Sequence, residues 1–174
     1  MKHLRLQSFI AASMALSLGL GWGSAAAATP AIGTIAARGA FRVDNGTVTG
    51  NATLFEGATV ETGAAGSSLE LSSGARMTLD ATSKGRIFGD RMVLERGASR
   101  LEKTEGFRVE ARGLTIRPET GNSTGRIALA GATRVQVAAL TGTFRVLNSR
   151  GMVVARIAPG MALAFEPQAS NGIS

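Results

Sequence analysis

The sequence predicts an all-β fold: a single domain of short antiparallel strands and hairpins, built as an irregular β-sandwich or as a short β-solenoid-like winding. Three observations carry this expectation. Apolar and polar residues alternate in short runs, as in Val60-Glu61-Thr62, Leu69-Glu70-Leu71 and Met92-Val93-Leu94-Glu95. A glycine ends most of these runs, leaving room for about one strand before the chain turns. After residue 28 no stretch of about 11 residues or more has the 3.6-residue period of an amphipathic helix.

Residues 1–28 read as a signal peptide. Lys2 and Arg5 make a basic n-region, Phe9 to Leu20 is apolar, and Ser24-Ala25-Ala26-Ala27-Ala28 supplies small residues for cleavage after Ala28. An uncleaved anchor is the alternative, because no charge returns until Arg38. Its second half of Gly, Ser and Ala is weakly apolar for the roughly 20 residues that a spanning helix needs. Cleavage leaves 29–174, with 17 basic groups against 12 acids. That chain is long enough to bury about two-thirds of its unfolded surface in one core.

Residues 29–38 are small and nearly uncharged, a lead-in before a β domain at 39–167; residues 168–174 read as a disordered tail. Strand alternation begins at Gly39. Phe41-Arg42-Val43-Asp44 runs into Asn45-Gly46, a pair suited to the two positive-φ positions of a type I′ hairpin. Asn45, Asn51 and Asn122 each head an Asn-x-Thr pattern and read as turn residues.

Parity then sets the loops. Leu69 and Leu71 share parity with Ala75, Met77 and Leu79, so a three-residue loop at Ser72-Ser73-Gly74 pairs Leu71 with Ala75 and Leu69 with Met77. Val109 and Ala111 have opposite parity to Leu114 and Ile116, so a two-residue loop at Arg112-Gly113 pairs Ala111 with Leu114 and Val109 with Ile116. A four-residue loop at Asn148–Gly151 pairs Val146 with Val153 and Phe144 with Ala155. Pro159-Gly160 marks a last turn before Met161, Leu163 and Phe165 alternate. Leu69, Leu71, Met77, Leu79, Val109, Ile116, Phe144, Val146 and Val153 are the predicted core.

Several of these pieces resemble the FecR-like domains. Leu54-Phe55-Glu56-Gly57-Ala58-Thr59-Val60-Glu61-Thr62-Gly63 is similar to the family's opening step, and Leu69 to Leu79 to its L-x-L-x-x-G-x-x-[apolar]-x-L hairpin. Met92 to Gly97, Phe107-Arg108-Val109 and Gly142-Thr143-Phe144-Arg145-Val146 follow in the family's order, closing at Pro159-Gly160. The resemblance covers about residues 39–167 and implies an extracytoplasmic β domain. In the best-known members that domain lies beyond a membrane helix and relays a transporter's state to a cytoplasmic sigma factor. With no cytoplasmic segment ahead of the leader and no further C-terminal domain in the sequence, the expectation here is the fold without that relay.

Enzyme chemistry is poorly supplied. There is no Cys, and the only His and Trp, His3 and Trp22, lie in the leader. A Ser-His-Asp triad, an imidazole metal site and Cys-ligated zinc therefore cannot be built by residues 29–174. Ser83 and Lys84 are adjacent, which on a strand points them to opposite faces. Glu56 with Glu61, and Glu102 with Glu105, are the carboxylate pairs left for acid–base work; solvated surface acids are the simpler reading. No cofactor, metal or small-molecule substrate is expected.

The arginines offer a binding surface instead. Arg42, Arg108 and Arg145 each sit between apolar neighbours on a strand, so alternation turns them away from the core. On neighbouring strands they would form a guanidinium stripe able to hold carboxylates or phosphates; otherwise they belong to a solvated face with Glu70, Glu95 and Glu110 among them. The expected protein is an exported binding or sensing module of a bacterial envelope, periplasmic or extracellular. Its expected partner is an envelope protein or an anionic envelope polymer, not nucleic acid, with membrane contact only if the leader is retained. A structural or adhesive envelope protein is the alternative, and after it a signalling regulator retained by an uncleaved N-terminal anchor.

Overall fold

Ile35 and Phe41, both buried, sit on one long strand whose two halves serve different parts of the molecule. A computed structural model describes residues 29–104 and 106–166, and every regular element in them is a strand. The signal peptide, its cleavage site, Glu105 and the expected tail lie outside the described residues.

Fifteen strands follow in chain order. They are β1 Ala31–Val43, β2 Gly46–Phe55, β3 Ala58–Thr62, β4 Ser67–Leu71, β5 Arg76–Leu79, β6 Lys84–Ile87, β7 Arg91–Arg96, β8 Ala98–Lys103, β9 Arg108–Ala111, β10 Leu114–Pro118, β11 Thr124–Ala130, β12 Arg134–Thr141, β13 Phe144–Leu147, β14 Val153–Ile157 and β15 Ala162–Phe165. One edge of β1 pairs with β2. The other edge is divided, with Gly33–Ala37 on β4 and Phe41–Val43 on β3.

Two arms of one sheet grow from that divided edge. One runs β3-β6-β7-β9-β10-β13-β14, the other β4-β5-β8-β11-β12-β15. The chain passes back and forth between the arms, so sandwich layers are laid down by a solenoid-like winding. All ladders are antiparallel except β7 with β9, which are parallel because β8 crosses to the other arm between them. The arms meet face to face: a Cβ placed on Gly125 of β11 would lie 2.8 Å from the Phe144 ring of β13. One apolar cluster fills the space between, including Phe41, Leu54, Leu69, Leu101, Ile116 and Phe144. Each such side chain contributes about 1.5–3 kcal/mol by leaving water.

Where the chain leaves one arm for the other, ladder bonding lapses and buried hydroxyls take its place. Thr62 Oγ1 donates to Asp80 O at 2.6 Å and accepts from Ser83 N at 2.8 Å. Ser83 Oγ accepts from Ala98 N at 2.9 Å and donates to Ala98 O at 3.1 Å. A buried main-chain N–H without a partner costs about 1–3 kcal/mol. Ser83→Ala is therefore expected to lose roughly that much in chemical denaturation, and Ser83→Thr, which keeps the oxygen, to lose less. Equal stability of Ser83→Ala and the parent would show that these bonds do not hold the crossover.

Two of the three parity predictions hold. Leu69 faces Met77, Gly74 takes φ 84°, and Ala111 faces Leu114 with Arg112 and Gly113 at φ 48° and 76°. Four readings need correction. Strand pairing begins at Ala31, not Gly39, because buried Ile35 anchors the lead-in between β2 and β4. The first hairpin turns on Asp44 and Asn45, at φ 48° and 69°, with Val43 facing Gly46; Asp44 is drawn into the turn by Thr59, whose N–H donates to its carboxylate at 2.8 Å. Asn51, read as a turn residue, lies inside β2 opposite Ala36.

The fourth correction concerns β13 and β14. Asn148 N donates to Met152 O, so only Ser149, Arg150 and Gly151 form the loop. A bulge then leaves Val154 unpaired, with Leu147 facing Val153 but Val146 facing Ala155 and Phe144 facing Ile157. One extra residue reverses the faces. Val153, expected in the core, is 50% exposed, and Ile157 is buried in its stead.

Candidate functional site

Alternation turns Arg42, Arg108 and Arg145 off the core face, but the sheet does not make one stripe of them. Arg42, on β1, stands beside Glu61 of β3 and donates to Asn45 O at 3.3 Å. Four strand-to-strand steps along the arm separate β1 from β9. Arg108 and Arg145 join a different set. Arg145 of β13 faces Arg117 of β10 on one side and Arg156 of β14 on the other. One register step beyond the Ile116–Val109 pair, Arg117 comes beside Arg108 of β9, which faces Arg91 of β7.

Five arginines thus form one row across five neighbouring strands: Arg91, Arg108, Arg117, Arg145 and Arg156. At about 4.8 Å per strand the row spans roughly 19 Å. The missed members carried a partial signal. Arg156 lies between Ala155 and Ile157, and Arg117 between Ile116 and Pro118, so alternation alone could have turned both outward. The adjacency of Arg117 to Arg145 could not be read across 28 residues of chain, and that of Arg156 was hidden by the bulged register of β13 and β14.

Three carboxylates serve the row. Asp90 accepts from Arg108 Nη1 at 2.6 Å and Arg91 Nη1 at 3.1 Å; Glu110 accepts from Arg108 Nε at 3.1 Å. Glu119 Oε1 sits 3.2 Å from both Arg145 Nε and Arg156 Nη2. The Arg145 contact is an ion pair only, since its angle leaves the buried Nε without a hydrogen bond. Arg117 has no carboxylate partner among the described residues. Arg91 also lies 4.0 Å over the Phe88 ring, which fixes that end of the row.

Partial burial raises the Asp90 pKa, but the Arg108 hydrogen bond and the charges of Arg108 and Arg91 outweigh it and hold the carboxyl below its ordinary value. Desolvation lowers the Arg108 pKa, but its hydrogen bonds to Glu110 and Asp90 and their charges outweigh it and raise the group above its ordinary value. Because the folded Asp90 value is depressed, its contribution to stability is present above the unfolded value of about 3.9 and fades as pH falls through the lower folded one. Asp90→Asn is therefore expected to lower the Tm slightly at neutral pH and not at all at acid pH. A Tm loss that persists at acid pH would count against the ion pairs.

Of the carboxylate pairs weighed for acid–base work, Glu56, Glu61 and Glu102 are engaged elsewhere, and Glu105 lies outside the described residues. Glu56 accepts from Gly89 N at 3.0 Å, Glu61 from Arg96 at 2.6 Å, and Glu102 from Thr78 at 3.3 Å. Ser83 is buried while Lys84 pairs with Glu95, on opposite faces as expected. Among the described residues no three His, Cys, Asp or Glu cluster at metal-binding distance, and no helix is long and apolar enough to cross a membrane.

A second surface lies at the far end of both arms. β14 and β15 are the terminal strands, each paired on one edge only among the described residues. Around them Leu140, Met152, Val153, Val154, Met161 and Leu163 are all exposed.

No family model and no curated protein matches this chain. Among solved structures, two crystal structures of a candidate anti-sigma factor from Parabacteroides distasonis ATCC 8503 are similar to it. One has a TM-score of 0.48 at 16% identity, the other 0.47 at 18%, each covering 62% of this chain. The matched part spans 59% of that protein, under two-thirds of its length. A likeness this distant assigns the chain neither a family nor a role.

Proposed function

We propose that the chain is an exported, non-catalytic FecR-like binding module of a bacterial envelope that docks an acidic partner protein on the outer arginine row. The observation that carries this reading is the row itself, five guanidiniums against three carboxylates on adjacent strands. Like charges facing each other across strands destabilise a sheet. An incoming carboxylate relieves that repulsion and meets guanidinium forks whose geometry suits it. The FecR-like order of motifs supports the family, and the leader-like residues 1–28 support export.

Replacing Arg117, Arg145 and Arg156 together by Gln is expected to reduce partner recovery from envelope extract at least tenfold, with little change in Tm, because exposed ion pairs are worth about 0–1 kcal/mol each. Recovery should also fall with salt, since exposed charges are screened over about 10 Å at 0.1 M. Arg42→Gln, away from the row, should leave recovery unchanged. Equal capture by the triple variant at low salt would overturn the reading, as would turnover of a substrate by the purified protein. Capture of an anionic polymer in place of a protein would move the partner to the envelope's polyanions. The exported chain should begin at Thr29 or within about three residues of it. Membrane-retained protein with Met1 intact would show an anchor instead.

A structural or adhesive role is the second reading, favoured by the exposed apolar end beside two free edges. Concentration-dependent sedimentation of the purified protein is its test.

A further inference from the structure

Among the unpaired edges, β14 stands out because it carries both the last arginine of the row and part of the exposed apolar end. Glu119 N donates to Thr143 O at 2.9 Å, so the ladder between β10 and β13 is hydrogen-bonded at that pair and again two residues on, at Arg117 and Arg145. The main-chain groups of Arg145 therefore face β10, and its pairing with Arg156 is the non-hydrogen-bonded kind. The N–H and C=O of Arg156 consequently point away from β13, toward the free edge of β14. Its side chain stands on the outer face, beside Glu119.

The inner side of that edge is uncovered as well. β14 touches β12 across the core, so the next strand position beyond it lies over β15. Leu163, which faces Val137 of β12 and shares its inward side, is 38% exposed, and Met161 before it is 50% exposed. Proteins usually blunt an edge with inward charges or cover it. This one presents Val153 and Val154 instead.

We infer that β14 is an acceptor edge, to which an extended segment of the partner adds as the next strand, its carboxylates continuing the arginine row and its alternate apolar residues covering Leu163 and Met161. The inference rests on the arginine-row reading and specifies how the partner docks there. Charge and alternation select the occupant: acid residues on the outer side next to Arg156, apolar ones on the inner side. Main-chain bonds supply affinity in this mode, and alternate side chains supply specificity. A second copy of this chain fits less well, since β14 against β14 would bring Arg156 toward Arg156.

The test uses a labelled peptide of about eight residues alternating Glu with Val or Leu, and measures its binding to the purified protein by fluorescence anisotropy. Arg156→Gln removes charge alone. Arg156→Pro removes charge and also the outward N–H, without removing a bond to β13, and proline is tolerated at such edge positions. The expected result is that Arg156→Gln weakens binding several-fold and Arg156→Pro at least tenfold further, with both variants folded by circular dichroism. N-methylation of alternate peptide amides should cause a similar loss, whereas binding of poly-glutamate should weaken equally in Arg156→Gln and Arg156→Pro. Equal binding by the proline and glutamine variants, or by the N-methylated peptide, would overturn strand addition and leave the row intact. Binding that ignores Arg117, Arg145 and Arg156 altogether would overturn the row reading itself. A stable dimer abolished by Arg156→Pro would assign the edge to a second copy and overturn the inference.

Discussion

Phe144→Ala is expected to cost about 3–5 kcal/mol, while Arg145→Ala, one residue along the same strand, costs less than about 1 kcal/mol. Phe144 is 0% exposed and lies beneath β11, where Gly125 leaves room for its ring. Ala would leave a void between β13 and β11, each of which is held by ladders on both of its own edges, so that the void cannot easily collapse. Arg145 points the other way and shares its carboxylate, Glu119, with Arg156. Urea denaturation of the two variants decides the matter. Comparable losses would mean that the faces of β13 are not assigned as the register requires.

The second large effect is expected at a crossover between arms. Gly97 joins β7 to β8 at φ 80°, and a Cβ there would overlap Ser83 Oγ and stand 2.7 Å from Ser83 Cα. Ser83 cannot move aside, because its hydroxyl is bonded to both the N–H and the C=O of Ala98. Positive φ costs a residue with a Cβ about 1–2 kcal/mol, and overpacking about 1–3 kcal/mol more. Gly97→Ala should therefore lose about 2–5 kcal/mol, whereas Gly113→Ala, open around its Cβ and equally positive in φ, should lose only the conformational part. If the two variants melt together, the Ser83 contact is not what holds the crossover.

These losses and the arginine row belong to different links of the chain of causes. Core and crossover residues hold the arms in register, and that register alone brings Arg117, Arg145 and Arg156 side by side. A variant that loosened β13 would therefore be expected to lose partner binding as well. Losing Arg117, Arg145 and Arg156 would remove binding without loosening the fold.

The sequence by itself determined the all-β class, the inward and outward faces of most strands, and the hairpins at Gly74 and Gly113. Those features are local: the side-chain period is two, and a loop of known length sets the parity of the strands it joins. It reached the outward direction of Arg42, Arg108 and Arg145 on the same grounds. The start of β1 at Ala31 was hidden because a run of small residues has no alternation until Ile35 is seen buried between two partners. The β14 register was hidden because a bulge at Val154 depends on how the strand fits its neighbours. Only the tertiary structure decided which arginines stand together, parting Arg42 from the row and adding Arg91, Arg117 and Arg156. The physical reason is that strands such as β10 and β13 pair across nearly 30 residues of chain. Loop closure and the packing of a common core choose such partners, and alternation within a strand carries no information about which strand lies beside it.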